Sequence, residues 1–233
     1  MITIRKASER GHANYGLLDS FHSFSFAEYY DPENMGFSAL RVINDDTVDP
    51  GAGFPTHPHR NMEILSYVLE GSLEHKDSMG NGSVIHAGEI QRMTAGKGLT
   101  HSEFNASESQ PVRLLQIWIL PDRTGLEPSY EQKRIDREKQ NGQLCLVASG
   151  DGRENSITIN QDASIYSTIL DGNQSVTHKL ANGRKTYVHV ARGNVQLNST
   201  LLSEGDGARI KAENVVHLHG IDNSEVLLFD LPG

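Results

Sequence analysis

Apolar positions along this chain come in short aliphatic and β-branched runs, and stretches with a helical apolar period are hard to find. Phe37–Ile43, Ile64–Leu69, Arg113–Ile119, Ile165–Leu170, Tyr187–Ala191 and Glu225–Phe229 each read as a strand. Asn-Gly, Gly-Asn and Asp-Gly turns separate many of these runs. Such punctuation predicts an all-β chain arranged as a barrel or sandwich. Pro121–Gly142 breaks the pattern, being polar and charged with two prolines, as a crossover or short helix between two halves would be. The expected division is residues 1–125 as a first domain, 126–142 as a linker and 143–233 as a second domain.

The halves also echo each other. Val68-Leu69-Glu70-Gly71 followed by Ala87-Gly88-Glu89 parallels Val190-Ala191-Arg192-Gly193 followed by Glu204-Gly205-Asp206. Each copy is a strand, a tight glycine turn and a later Gly-acidic turn, which points to a duplicated β-barrel. At 233 residues, two compact domains can each bury a core.

Charge and cysteine content remove several function classes. The net charge is −9, with 21 basic residues scattered among 30 acidic ones, so no face is built to neutralise phosphates. Neither nucleic acid nor an anionic membrane is expected as a partner. No stretch approaches the roughly 18 apolar residues of a membrane span. The start of the chain has no apolar signal core, and Cys145 has no second cysteine to pair with, so a cytoplasmic protein is expected. Cys145, within the apolar run Leu144–Ala148, reads as a buried structural thiol.

Histidine spacing carries the chemistry. In Gly51-Ala52-Gly53-Phe54-Pro55-Thr56-His57-Pro58-His59, side chains two apart on a strand share a face, so His57 and His59 can reach one cavity. Pro58 confines this segment to an edge, a bulge or a strand start. Gly96-Lys97-Gly98-Leu99-Thr100-His101-Ser102-Glu103 repeats the spacing and would aim His101 and Glu103 inward from a neighbouring strand. Three imidazoles and a carboxylate suit one divalent transition metal, iron, manganese, cobalt, nickel, copper or zinc, and the ligands do not name which; iron(II) is the leading expectation for the chain as a whole. Glu63 shares the parity of His59, so parity alone leaves Glu63 and Glu103 both open as the carboxylate ligand, the other then serving as orienting group or catalytic base.

The arrangement Gly51-x5-His57-x-His59-x3-Glu63 with Gly71, and Gly88 leading to His101-x3-Asn105, resembles the two signature motifs of the cupin superfamily. More narrowly, His57-Pro58-His59-Arg60, Glu63, His75, Asp77-Ser78-x-Gly80 and Met93-Thr94-Ala95-Gly96-x-Gly98-x2-His101-Ser102-Glu103 resemble the pirin family. Arg10-Gly11-His12-Ala13, Phe24-Ser25-Phe26, Tyr30-Asp31-Pro32, Gly36-Phe37-x2-Leu40-Arg41-Val42 and the terminal Leu227-Leu228-Phe229-Asp230-Leu231-Pro232 extend the resemblance over nearly the whole chain. The resemblance implies a bicupin, two tandem cupin β-barrels of double-stranded β-helix (jelly-roll) type, with metal only in the first barrel. It assigns the ligands to His57, His59, His101 and Glu103, favouring Glu103 over Glu63. Asn61 and Met62 depart from a glycine and an aromatic residue in some relatives.

For activity, the resemblance implies a quercetin 2,3-dioxygenase that opens flavonol rings with dioxygen and releases carbon monoxide. Glu103 is then the first candidate base and Glu63 the second. The alternative it carries is a metal-binding regulatory module that docks a protein partner, as in vertebrate members, without physiological catalysis. A metal-assisted isomerase or hydrolase is a third reading, because cupin barrels host many chemistries. A flavonol-like substrate asks for an apolar pocket, with Phe54, Met93, Phe104 and Trp118 as lining candidates that are equally candidates for the core. In the second half, His217-Leu218-His219 with His178 or His189 lacks a partner pair and reads as ordinary polar or packing histidines.

Overall fold

The computed structural model describes residues 1–233. Its first strands, in chain order, are β1 (Ile2–Arg5), β2 (Gly11–Asn14), β3 (Leu18–His22), β4 (Leu40–Val48), β5 (Gly53–His59) and β6 (Glu63–Glu70). There follow β7 (Ser72–Asp77), β8 (Gly82–His86), β9 (Glu89–Thr94), β10 (Leu99–Asn105), β11 (Val112–Ile119) and β12 (Ser129–Arg134). After the helical turn α1 (Arg137–Gln140) come β13 (Cys145–Ser149), β14 (Ile157–Thr158), β15 (Ser164–Leu170), β16 (Ser175–Lys179) and β17 (Lys185–Arg192). The last are β18 (Asn194–Leu197), β19 (Thr200–Ser203), β20 (Gly207–Ile210), β21 (Val215–Gly220) and β22 (Ser224–Leu231).

These strands form two barrels of the same plan. The first closes a seven-stranded sheet, β12-β9-β6-β11-β4-β3-β2, against a four-stranded one, β5-β10-β7-β8. The second repeats this with β1-β20-β17-β22-β15-β13-β14 and β16-β21-β18-β19. All six strands read from the sequence are present. The first runs later than expected, because the turn-like triplet Asn44-Asp45-Asp46 continues β4 as buried strand. No helix is long and apolar enough to cross a membrane.

Two segments lie where the sequence division does not put them. Residues 129–134, within the expected linker, form β12 and pair along β9 at the edge of the first sheet. Its alternation of charged with polar or aromatic residues suits an edge strand, and Arg92 reaches Glu131 across the pair at 3.2 Å. At the other end of the chain, β1 crosses to the second barrel and extends its sheet by pairing with β20. Only α1 is helical in the 126–142 stretch, capped by Asp136 accepting from the Glu138 amide at 3.0 Å.

The two seven-stranded sheets face each other, and parity along each strand decides what lies between them. On β6, Leu65, Tyr67 and Leu69 enter the inter-barrel core, as do Leu115, Ile117 and Ile119 on β11; they meet Ile165, Tyr187, Leu227, Phe229 and Leu231 from the second barrel. Cys145 is half-buried at the margin of this core, rather than fully buried as expected. The alternate positions point into the barrels. In the second barrel they are apolar, with Val188, Val190, Val216, Leu218, Val226 and Leu228 in a cluster of 13 buried residues that fills the interior.

Polar groups also cross the interface. Arg113 grips Asp45 through Nε and Nη2, both at 2.9 Å, and donates to the Ala191 carbonyl at 3.2 Å. Burial alone would raise the Asp45 carboxyl, but the hydrogen bonds and charge of Arg113, with His189 and Arg10 nearby, hold it below the ordinary carboxylate range. Its folded pKa is depressed, so its stabilising contribution is present above the unfolded value of about 3.9 and is lost as pH falls through and below that value. Replacing Asp45 by Ala leaves Arg113 without its bidentate partner at the interface. Arg113 keeps Glu204 at 2.9 Å, so urea denaturation of Asp45→Ala is expected to show about 1–3 kcal/mol less stability at pH 7. The difference from the parent should shrink on acidification below pH 4.

Candidate functional site

Two adjoining strands build the histidine cluster. β5 is the edge strand of its sheet and pairs only with β10, so Pro55 and Pro58 interrupt no ladder on the open side. His57 lies opposite His101 in the register, and a bulge between His101 and Glu103 re-aims the following residues. On β10, Leu99, His101, Glu103 and Asn105 are buried, while Thr100, Ser102 and Phe104 take the other, half-buried face. The ring centroids of His57, His59 and His101 stand 4.4–4.9 Å apart. One nitrogen from each comes within 4.8 Å of the others.

The imidazoles are set up to accept a cation. His57 donates from Nδ1 to the Pro55 carbonyl at 2.8 Å, which fixes the tautomer and leaves Nε2 with its lone pair. Burial, and then the neighbouring imidazoles, push His59 down to about 4 and His101 down to about 3. At neutral pH both rings are uncharged, the state in which they bind metals. Both nitrogens of His101 are buried without a protein partner. Two orphaned nitrogens in one buried ring fit a bound ion that would satisfy one of them.

Glu103 closes the cluster from below. It is buried, and groups with His101 and His75 within 4.8 Å. Ser66 Oγ donates to its Oε1 at 3.0 Å and Gln116 Nε2 to its Oε2 at 2.9 Å. Each carboxylate oxygen therefore keeps a lone pair free. Ser66 and Gln116 were not singled out from the sequence, although each interrupts an apolar or aromatic run, Ile64–Leu69 and Leu114–Ile119. His75 is fully buried behind the cluster, its Nε2 3.2 Å from Asp77.

The structure does not bring Glu63 to this cluster. It sits on the parity of Leu65 and Tyr67, so its side chain leaves the barrel interior. There it accepts from Thr94 Oγ1 at 3.0 Å and from Asn160 of the second barrel at 3.2 Å. Burial raises its carboxyl, opposed by Arg92 and by these donors. The even spacing from His59 misled because β5 ends at His59 and the chain turns before β6 begins, so parity does not carry across. At that turn Asn61 adopts φ 50°, a conformation glycine takes freely and asparagine tolerates.

Beside the cluster opens a cavity of about 400 Å³, bordered by His57, His59, Glu103 and Gln116. Phe54 and Trp118 line it as expected, and the Trp118 ring stands edge-on to His59 at 5.0 Å. Met93 instead packs in a buried apolar group with Ile64, Ala95 and Leu99, and Phe104 faces away. Near the cavity's outer strands, burial pushes the Asp46 carboxyl up to about 7; Ser20 opposes the shift, and the charges of Asp45 and Glu103 add to it.

The histidines of the second barrel do not converge. His217 and His219 point outward from β21, bonded to Thr177 and Ser175 at 2.8 Å, while Val216 and Leu218 occupy the interior. His178 pairs with Asp230 at 2.8 Å, and His189 is buried at the inter-barrel face. Both metal-competent groups lie in the first barrel.

Family comparisons agree with this geometry. Residues 3–119 match the pirin family model, and residues 146–231 match that of the quercetinase C-terminal cupin domain. The chain belongs to the pirin family. It is 52% identical to the quercetin 2,3-dioxygenase of Escherichia coli K12, over 100% of this chain and 99% of that protein. The crystal structure of YhhW from Escherichia coli superposes with a TM-score of 0.96 at 51% identity, covering 100% of this pirin and 98% of that chain. A second structure, of bacterial pirin YhhW in complex with nickel(II), gives 0.95 at 50% identity, covering 100% and 99%. The pirin fold is thus a bicupin, with the histidine cluster in its first cupin barrel only.

The lone tryptophan beside His59 reports on the cluster. Titration with nickel(II), which is paramagnetic, is expected to quench Trp118 fluorescence with a one-per-chain endpoint. His101→Ala should abolish the endpoint; Glu63→Gln and His217→Ala should retain it.

Proposed function

We propose that this protein is a metal-dependent dioxygenase of flavonols such as quercetin, with His57, His59, His101 and Glu103 holding the ion. The observation that carries the reading is a cluster of three imidazoles, with the buried Glu103 carboxylate grouped to it through His101, beside a cavity of about 400 Å³ that His57, His59 and Glu103 border. The names of the close relatives support the same activity. Iron(II) remains the first expectation, and the nickel complex of YhhW supports a site that accepts late divalent ions.

A divalent ion bound there supplies positive charge that favours the deprotonated form of an enolic hydroxyl. Glu103 takes the proton, on an oxygen lone pair that Ser66 and Gln116 leave free. Those two donors also fix the carboxylate's direction, so its reach toward the hydroxyl costs no reorganisation. Phe54 and Trp118 give the substrate's ring an apolar wall that keeps water from the electron-rich anion. Dioxygen then adds both atoms to the flavonol, the ring opens, and one carbon leaves as carbon monoxide.

The test is oxygen uptake and carbon monoxide release with quercetin, using chelated and metal-reloaded protein. Reloaded protein is expected to consume one dioxygen per quercetin, and chelated protein none. Absence of oxygen uptake with every first-row divalent ion would refute the reading. Glu103→Gln should lower kcat by about 10²- to 10⁴-fold. Gln116→Leu, which removes one of the groups holding Glu103, should weaken metal affinity roughly 10- to 100-fold. Both are read by elemental analysis alongside the rate.

A further inference from the structure

One polar patch of the cavity takes no part in the reaction proposed above. Strands β3 and β4 supply it. Ser20 lies opposite Asp46 and His22 opposite Asn44 in their antiparallel register, so the four share the barrel-interior face. All four are buried, and all four border the cavity.

Their internal bonding fixes what they offer to a ligand. Ser20 Oγ donates to Asp46 Oδ1. His22 Nδ1 stands 2.9 Å from Asn44 Oδ1; an amide oxygen only accepts, so Nδ1 carries the proton and Nε2 keeps a lone pair. The Asn44 amide N–H groups remain as donors, and His22 Nε2 and the second Asp46 oxygen as acceptors, without protein partners. Donors interleaved with acceptors complement hydroxyl groups, each of which gives one hydrogen bond and takes another. No lysine or arginine borders the cavity. A carboxylate or phosphate at this end would meet the Asp46 carboxyl with no lysine or arginine to offset it.

The patch is also correctly placed relative to the cluster. Asn44 pairs with Gln116, the residue that holds Glu103. It therefore begins one strand spacing, about 4.8 Å, from Gln116, and extends one strand further to His22. A ligand that puts a reacting hydroxyl at the histidines and touches this patch is elongated, with hydroxyls on a second ring and an apolar middle against Trp118.

We propose that Ser20, His22, Asn44 and Asp46 form a subsite for the hydroxyls of a substrate's second phenolic ring, vicinal hydroxyls above all. The subsite sets which polyphenols the cavity takes. It rests on the flavonol reading, and deepens it from a substrate family to a hydroxylation pattern.

The experiment compares quercetin with galangin (3,5,7-trihydroxyflavone), which keeps the reacting hydroxyl and those of the fused ring and lacks only those of the pendant ring. Two quantities are read on metal-loaded protein: the ratio of kcat/KM for the two compounds, and the ratio of their Kd from quenching of Trp118. The parent is expected to favour quercetin by at least roughly tenfold in both. In Asn44→Leu and Asp46→Asn the ratios should collapse toward one. Ser20→Ala, the mildest change, should move them the same way if either of the first two variants does not fold. A purely structural role would weaken both compounds alike; unchanged ratios in the variants, or no preference in the parent, overturn the subsite. If both compounds bind with the expected preference and neither is consumed, the subsite stands and the oxygenase reading falls. If neither quenches Trp118, both fall.

Discussion

Everything in this molecule hangs on a sheet that is buried on both faces. β4, β6 and β11 press one face against the second barrel and turn the other into the first barrel's cavity, so no residue on them is idle. Tyr67 bonds Glu225 and Gln140 on the far side of the interface, while its neighbour Ser66 bonds Glu103 inside the barrel. A slip of one residue in register would exchange the two sets, burying Ser66 in an apolar interface and pushing Tyr67 into the cavity. The apolar packing between barrels is therefore what fixes the position of Ser66 and Gln116, the groups that hold Glu103.

The two barrels show what the polar interior costs. The same plan is filled in the second by interlocking Val, Leu, Ile and Ala, whereas the first keeps a smaller apolar cluster, Val48, Val68, Leu73, Ile85, Val112 and Leu114, and lines its cavity with imidazoles, amides and carboxyls as well. Each buried polar group must find a partner or lose about 1–3 kcal/mol. Gln116, Ser66, Asn44 and His22 find theirs on adjacent strands, Glu103 finds its two on the facing sheet, and His101 finds none. His101, with both ring nitrogens unpartnered and two further imidazoles beside it, is where an ion would complete the bonding.

Much of this was legible in the sequence, and the failures have identifiable causes. Apolar runs on β6, β11, β17 and β22 are continuous because both faces are buried, and that made the strands easy to read. The same continuity hid which face each residue takes. His57, His59 and His101 could be read because each pair lies within one strand, where parity is reliable. Glu63 could not, since a turn at Arg60–Met62 separates it from His59. Nor could Asn44-Asp45-Asp46, whose composition signals a turn; three consecutive buried polar residues persist in a strand only because β3 and β11 bring them partners from either side. The crossing of β1 to the far barrel leaves no local signal, because strand pairing over some two hundred residues is a tertiary fact.

Asp45 and Asp46 show how far geometry alone can separate two identical side chains. Adjacent on β4, they point to opposite faces. Asp45 meets the bidentate fork of Arg113 at the interface and stays ionised; Asp46 meets a serine hydroxyl in the cavity and is raised toward neutrality. Were the first barrel's interior lined with arginine as its interface is, Asp46 would be held as an anion and the cavity would attract anionic ligands. Placing every guanidinium outside the cavity leaves the histidine cluster as its one place for strong positive charge, supplied by an ion. A hydroxyl that ionises in the cavity is thus drawn to the cluster, and hydroxyls that stay neutral are free to bond elsewhere. On the proposed function, the orientation of a polyphenol in the barrel follows from that asymmetry, before any particular contact is considered.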